Sequence, residues 1–232
     1  LFLAFAAEND CRNGINKIRD TMYKLFKYFA CITALLLSSL CFSQTTAPKV
    51  SLQTNVGEIV IELNPEAAPI SVENFLGYVN ERFYNGVIFH RVIKDFMIQA
   101  GGFRFDMTQK PPNKPPIINE SNNGLKNLKY SVAMARTRVP DSATSQFFIN
   151  HKTNAFLDGQ ADRPGYAVFG KVIKGMDIVD KIASTETKNL ARYGNVPVKT
   201  ISIIKAHVIL GKPAKPTTKE DIKTDPKNKP KT

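Results

Sequence analysis

The 232-residue chain has no tryptophan, and its three cysteines, Cys11, Cys31 and Cys41, all lie before residue 44. The part of the chain after residue 44 therefore has no disulfide, no thiolate nucleophile and no cysteine-based metal site. The three histidines are far apart in sequence and lack the spacing of metal ligands. We accordingly expect neither a metal ion nor any other cofactor.

Acidic residues are the minority, with 20 Asp and Glu against 32 Lys and Arg, for a net charge of +12. The excess is +2 in residues 1–43, +6 in residues 44–210 and +4 in residues 211–232. No stripe of Lys and Arg alternates with aromatic residues, so nucleic acid is not expected as the main partner. A hydrophobic content of 43% is enough for a core and excludes disorder throughout.

The N-terminal region has the pattern of an export signal. The first methionine is Met22, and Lys24 and Lys27 precede an apolar run over residues 29–40. Small side chains near the end of this run predict cleavage before Gln44. Residues 22–43 are therefore predicted to be a signal peptide, and residues 1–21 an upstream extension from a misplaced start codon. We expect the mature protein in the periplasm.

Two membrane-attached alternatives are open. The uncharged stretch over residues 28–42 has 15 residues, fewer than the ~18–20 that span a bilayer, so an uncleaved anchor is disfavoured. A lipidated Cys41 is the second alternative, although Leu40 is large for the position before a lipidated cysteine. At the other end, residues 211–232 carry seven Lys and four Pro and are predicted to be a disordered tail.

Short β-rich segments dominate the region between these ends. Residues 50–53 and 59–63 flank a Gly-containing turn and predict a hairpin, with Ile59, Ile61 and Leu63 on one face. Further strands are predicted at residues 87–93, 96–99, 130–135, 146–149, 166–173 and 201–210. The loop over residues 106–123 has four prolines and is expected on the surface.

Only two segments have helical spacing. Val72, Phe75, Leu76 and Val79 recur at i, i+3, i+4 and i+7 and predict a helix that begins near residue 69. Residues 176–183 predict a second, shorter helix. Many short strands with two helices indicate a mainly β domain over residues 49–210, with the sheet closed into a barrel.

Three blocks with fixed order and spacing carry a family resemblance. Residues 89–103 read FHRVIKDFMIQAGGF, residues 145–149 read SQFFI, and residues 168–172 read VFGKV. Together they resemble the cyclophilins, a family of peptidyl-prolyl cis-trans isomerases, in its bacterial exported branch. The resemblance implies a closed eight-stranded antiparallel barrel capped by two α-helices. It also implies a monomer that accelerates isomerisation of X–Pro bonds in polypeptides and so assists the folding of exported proteins.

The resemblance also implies the site. Arg91 would be the catalytic donor to the prolyl nitrogen, and Gln99 and Gln146 would position substrate carbonyls. Ala135 and Arg136 would offer main-chain contacts to the peptide. The apolar pocket for the proline ring would consist of Phe96, Met97, Phe148 and Leu157, with Phe156 and Tyr166 at positions where other members carry an indole and a histidine. Without that indole, cyclosporin is expected to bind weakly or not at all.

The residues taken singly have plainer interpretations. An arginine on a strand is usually a solvated or ion-paired group, and apolar residues at alternating strand positions usually form a core. His90 is next to Arg91, and strict alternation places it on the opposite face, as a packed and hydrogen-bonded histidine. A peptide-binding module or holdase chaperone, in which turnover is incidental, is the competing function.

Overall fold

The computed structural model describes residues 47–160 and 162–209, together with Met22. The predicted upstream extension, the remainder of the predicted signal peptide and the predicted tail over residues 211–232 lie outside the described residues. Within the described part of the chain, no helix is both long and apolar enough to span a bilayer.

Eight strands form a closed antiparallel barrel in the order β1-β10-β3-β4-β6-β5-β7-β2. This confirms the predicted fold class. The strands of the barrel are β1 (Lys49–Thr54), β2 (Gly57–Leu63), β3 (Val87–Ile93), β4 (Met97–Arg104), β5 (Ser131–Met134), β6 (Phe147–Asn150), β7 (Val168–Lys174) and β10 (Ser202–Ile209). The two helices are α1 (Pro69–Asn80) and α2 (Met176–Ala183).

Strand alternation fills the barrel interior as the sequence predicted. Ile59, Ile61 and Leu63 all point into one hydrophobic core and are almost completely buried. Opposite them, Val50 pairs with Ile61 and Leu52 with Ile59, so both strands of the first hairpin contribute alternate residues to that core. Side chains between these positions face outward, and the outer face of the barrel is therefore free to carry other chemistry.

Helix α1 supplies the centre of the core. The Phe75 ring lies 5.1–5.3 Å, centroid to centroid, from the rings of Tyr84, Phe147 and Phe169. Phe75 is fully buried, which confirms the apolar face predicted from the i, i+3, i+4 spacing. These aromatic contacts fix α1 to the barrel from which the site residues project.

The long proline-containing loop over residues 106–123 contacts α1 as well as the solvent. The carboxylate of Glu120 accepts hydrogen bonds from the backbone N–H groups of Ile70 and Ser71, at 3.0 and 2.7 Å. It also accepts one from the Ser71 hydroxyl at 2.7 Å. Because no side chain within α1 caps its N-terminus, Glu120 satisfies donors that the helix leaves free and complements its dipole.

One element was not predicted. A separate two-stranded sheet, β8 (Thr187–Leu190) and β9 (Tyr193–Pro197), lies between α2 and β10 in the chain. Most of its residues are polar, and only Val196 and Pro197 are buried, so the sheet lacks the alternation on which a strand prediction depends. Tyr193 attaches it to the barrel, with its ring 5.1 Å from that of Phe103 on β4.

Candidate functional site

A β-bulge turns Arg91 to the outside of the barrel. Phe89 pairs with Ala100 and faces the core, whereas Arg91 pairs with Gln99, so β3 has one more residue than β4 across this step. Without the extra residue, Arg91 would face the same side as Phe89. The strict alternation assumed for His90 therefore does not hold here.

Three strands place the site residues in one row on the outer face. Gln99 on β4 pairs with Arg91 on β3 and with Phe148 on β6, and the row continues onto a fourth strand, β5, where Ala133 pairs with Phe148. Met97 lies two residues before Gln99 and shares its face. The row therefore brings a cation, an amide and apolar side chains next to one another.

The apolar end of this row is a hydrophobic cluster distinct from the barrel core, here called the outer cluster. Met97, which is only 2% exposed, and Phe148 form its centre. Its members are Met97, Ala133, Phe148, Leu157 and Val168, with Ile93, Phe96, Leu125, Ala135 and Tyr166 packed against them at partial burial. The predicted pocket residues thus come together, and Ala133, Val168, Ile93 and Leu125 are members that the sequence reasoning missed.

The polar end of the row is a chain of side-chain hydrogen bonds. Arg91 Nη1 donates to Gln99 Oε1 over 3.5 Å, which is a long bond, and Gln99 Nε2 donates to Gln146 Oε1 at 2.9 Å. Within the described residues Arg91 forms no salt bridge. Since a guanidinium has five N–H donors, most of those of Arg91 remain free for another acceptor.

Aromatic side chains form the rim of the outer cluster. The Phe96 and Phe156 rings stack at a centroid distance of 5.6 Å and an angle of 23°. Phe148 and Tyr166 meet edge to face, also at 5.6 Å. Phe156 is 63% exposed, so it presents an apolar surface to solvent at the edge of the cluster.

The structure restricts the main-chain role predicted for Ala135 and gives the Arg136 side chain a separate one. The N–H of Ala135 donates to the carbonyl of Gln146 at 3.0 Å, so only its carbonyl is left for a peptide. The Arg136 guanidinium lies 4.6 Å above the Tyr166 ring and donates to the carbonyls of Gly165 and Pro164 at 2.9 and 2.7 Å. Its side chain therefore holds the loop that carries Tyr166.

A groove of about 230 Å³ continues from the polar end of the row. Gln99, Gln146, Ala135 and Arg136 line one part of it. The other lining residues are Gln109, Lys110, Pro112, Thr137, Ser142, Thr144 and Ser145. Sequence reasoning placed residues 106–123 on the surface and missed their position beside the groove, because nothing in their composition indicates which face they cover.

His90 is packed, as predicted, with its ring centroid 4.4 Å from that of Phe103. Its Nδ1 atom, however, has no hydrogen-bond partner within the described residues, so the predicted hydrogen bond is not found at that atom. Burial lowers the pKa of His90 to about 4, and the neighbouring charge of Arg91 adds to the shift. At neutral pH His90 is uncharged, and Arg91 is the cation of this bulge.

No group of three or more His, Cys, Asp or Glu side chains in the described part of the chain is arranged to hold a metal ion. What the arrangement offers is a guanidinium with free donors, two amides that bond to each other, and an apolar cluster with an aromatic rim. It can bind an extended peptide with one apolar ring and present a charged donor beside that ring.

Comparison with known proteins agrees with this geometry. Residues 49–208 match the family model described as cyclophilin type peptidyl-prolyl cis-trans isomerase/CLD. The chain is 54% identical over 183 residues to peptidyl-prolyl cis-trans isomerase A of Dickeya dadantii, covering 78% of this chain and 95% of that protein. It is 50% identical over 157 residues to peptidyl-prolyl cis-trans isomerase B of Escherichia coli, covering 66% of this chain and 95% of that protein.

Solved structures show the same fold. A Cryptosporidium parvum cyclophilin type peptidyl-prolyl cis-trans isomerase, crystallised in the presence of the dipeptide Ala-Pro, superposes with a TM-score of 0.58. It is 25% identical, and the match covers 70% of this chain and 99% of that one. The family model spans more than half of the chain, and both relatives are at least 50% identical to it over the aligned residues. The chain therefore belongs to the cyclophilin-type peptidyl-prolyl cis-trans isomerases.

Proposed function

We propose that this isomerase uses Arg91 as the donor to the prolyl nitrogen and the outer cluster as the binding surface for the proline ring. The observation that carries the proposal is the row across β3, β4 and β6, in which Arg91, Gln99 and Phe148 are successive neighbours on the outer face. A cation with free donors beside an apolar surface is what the twisted form of a proline amide needs.

The size of the barrier shows what such a site must supply. Amide resonance gives a rotation barrier of ~18–20 kcal/mol, and uncatalysed exchange takes tens to hundreds of seconds. A turnover of ~10 per second requires that the barrier fall by roughly 3–4 kcal/mol. No bond forms or breaks, so neither a nucleophile nor a base is needed.

One charge-assisted hydrogen bond supplies a large part of that amount. At the perpendicular geometry the prolyl nitrogen loses conjugation, becomes pyramidal and accepts a hydrogen bond that the planar amide cannot accept. A bond from the Arg91 guanidinium would then favour the twisted state by about 1.5–3 kcal/mol. Exclusion of water by the outer cluster would strengthen it further.

The competing function is a peptide-binding module or holdase. A binder needs the outer cluster and the groove, but it has no use for a guanidinium turned outward by a bulge and left without a salt-bridge partner in the described residues. The position of Arg91 therefore favours turnover over binding alone.

The proposal is tested with a chromogenic tetrapeptide that contains one X–Pro bond. The purified chain should accelerate cis-to-trans isomerisation at catalytic concentrations, and cyclosporin should inhibit it only weakly, because Phe156 offers less contact area than an indole. If the folded protein binds the peptide but leaves its isomerisation rate at the uncatalysed value, the chain is a binding module instead.

We further propose that the clients are exported proteins and that the isomerase acts in the periplasm as a monomer. The support is the signal-like pattern of residues 22–43, which precedes the domain. N-terminal sequencing of the protein recovered from the periplasmic fraction should begin at Gln44. Recovery from the membrane fraction with a blocked residue 41, or with residues 22–43 still attached, would contradict cleavage before Gln44.

A further inference from the structure

We propose that His151 is a positioning residue that holds Phe96 at the edge of the outer cluster by fixing the turn in front of it. This inference deepens the proposed function and rests on it, because Phe96 matters only if the outer cluster binds the proline ring. His151 follows β6 directly, and its imidazole is 10% exposed. Its Nδ1 atom accepts a hydrogen bond of 3.0 Å from the backbone N–H of Asp95.

The turn that His151 contacts is conformationally unfavourable. Asp95 has a φ of 57°, in the left-handed region, which Asp enters more readily than most residues other than glycine but still at an energetic cost. Lys94, Asp95 and Phe96 form the connection between β3 and β4, so Asp95 immediately precedes Phe96 in the same turn. A residue in this conformation persists when its surroundings over-determine it. The hydrogen bond from the Asp95 N–H to His151 helps to hold Asp95 in this conformation.

The same segment also fixes the main chain of Phe96. The carbonyl oxygen of Phe96 accepts two hydrogen bonds of 2.9 Å, one from the backbone N–H of His151 and one from the Asn154 side chain. The Phe96 ring stacks on Phe156, which lies five residues after His151. The His151 N–H, the Asn154 amide and the Phe156 ring therefore hold Phe96, and the His151 imidazole holds the turn before it.

The hydrogen bonds determine which tautomer His151 adopts. Since Nδ1 accepts from Asp95, the proton is on Nε2, and this atom lies 3.3 Å from a carboxylate oxygen of Asp180 on α2. The Tyr130 hydroxyl donates to the same carboxylate at 2.9 Å, and Lys129 Nζ lies 3.5 Å from it. His151 thus connects the turn to Asp180 on α2.

This arrangement predicts a specific kinetic effect for His151→Ala. Phe96 would contact the proline ring whether the amide is planar or twisted. Its displacement therefore weakens the binding of both states equally. We expect KM to rise about 3–10-fold while kcat stays within about twofold of the wild type. A variant that was merely less folded would lose kcat instead, because fewer active molecules would be present.

Two substitutions at the same position separate the role of Nδ1 from loss of packing. In His151→Asn the Oδ1 atom can accept from Asp95 as Nδ1 does, so KM should return to within about twofold of the wild type. His151→Gln reaches towards Asp180 without an acceptor near Asp95, and its KM should stay raised. His207→Ala, at a histidine on β10, is the matched control and should leave KM unchanged.

Each result decides the matter. A raised KM in His151→Ala and His151→Gln, with recovery in His151→Asn, supports the inference. If the alanine variant does not fold, the comparison of His151→Gln with His151→Asn is sufficient. An active wild type with equal KM in His151→Asn and His151→Gln overturns this inference alone. An inactive wild type overturns the proposed function, and this inference with it.

Discussion

Replacing Arg91 with alanine should lower kcat/KM for a proline tetrapeptide by about 10–100-fold. The expected size follows from the loss of one charge-assisted hydrogen bond of about 1.5–3 kcal/mol, because about 1.36 kcal/mol of activation free energy corresponds to a tenfold change in rate. Because the bond would form only as the amide twists, the loss should appear in kcat, with KM nearly unchanged. Single-wavelength kinetics at several substrate concentrations separate the two constants.

Two further arginine variants sharpen this test. Arg91→Lys keeps the charge but loses the planar fork of donors, so its activity should lie between those of the wild type and Arg91→Ala. Arg82→Ala removes an exposed arginine beyond the end of α1 and should leave both constants unchanged. Equal activity of Arg91→Ala and the wild type, with Arg91→Ala folded, would remove Arg91 from the mechanism.

The barrel and both helices could be predicted because their hydrophobic periods are regular. In β1 apolar and polar residues alternate, in β2 Ile59, Ile61 and Leu63 keep a period of two, and in α1 the apolar residues keep the helical spacing. Each element has one apolar face and a core to cover it, so local pattern and tertiary packing agree. The small sheet of β8 and β9 has polar exposed residues instead, and it depends on a tertiary contact of Tyr193 that local pattern does not contain.

The direction of Arg91 could not be derived from local pattern either. Alternation from Phe89 puts residue 91 inside the barrel, and only the extra residue at His90 reverses it. A bulge is a property of two paired strands, so the sequence of β3 alone cannot reveal it. Resemblance to the family pointed to Arg91 as the candidate donor, whereas the structure gives the physical reason why its side chain faces outward.

Adjacent glycines at the end of the site row should give opposite results when each is replaced with alanine. Gly101 has a φ of +99°, and a Cβ atom there would press on the carbonyl oxygen of Ser145 and lie 2.9 Å from Gln146 Cα. The backbone cannot yield cheaply, because that Ser145 oxygen accepts a hydrogen bond of 2.8 Å from the buried Tyr84 hydroxyl.

For Gly101→Ala we expect the free energy of unfolding to fall by about 3 kcal/mol. Backbone strain contributes roughly 1–3 kcal/mol and steric overlap a similar amount. The lower entropy of the unfolded alanine chain offsets only about 0.4–1 kcal/mol. Urea unfolding followed by circular dichroism measures the difference. A loss below about 1 kcal/mol would mean that the backbone of β4 at Gly101 relaxes more freely than the Ser145 contacts allow.

Gly102→Ala is the matched substitution, and we expect it to lower the activity rather than the stability. A Cβ atom at Gly102 would lie 2.5 Å from Nε2 and 2.6 Å from Cδ of Gln146, which belong to a flexible side chain that can move. The free energy of unfolding should therefore change by less than about 1 kcal/mol. Moving Gln146 breaks its 2.9 Å bond from Gln99, the neighbour of Arg91, so kcat/KM should fall several-fold. A fully active Gly102→Ala enzyme would show that the Gln99–Gln146 bond does not serve to position the substrate.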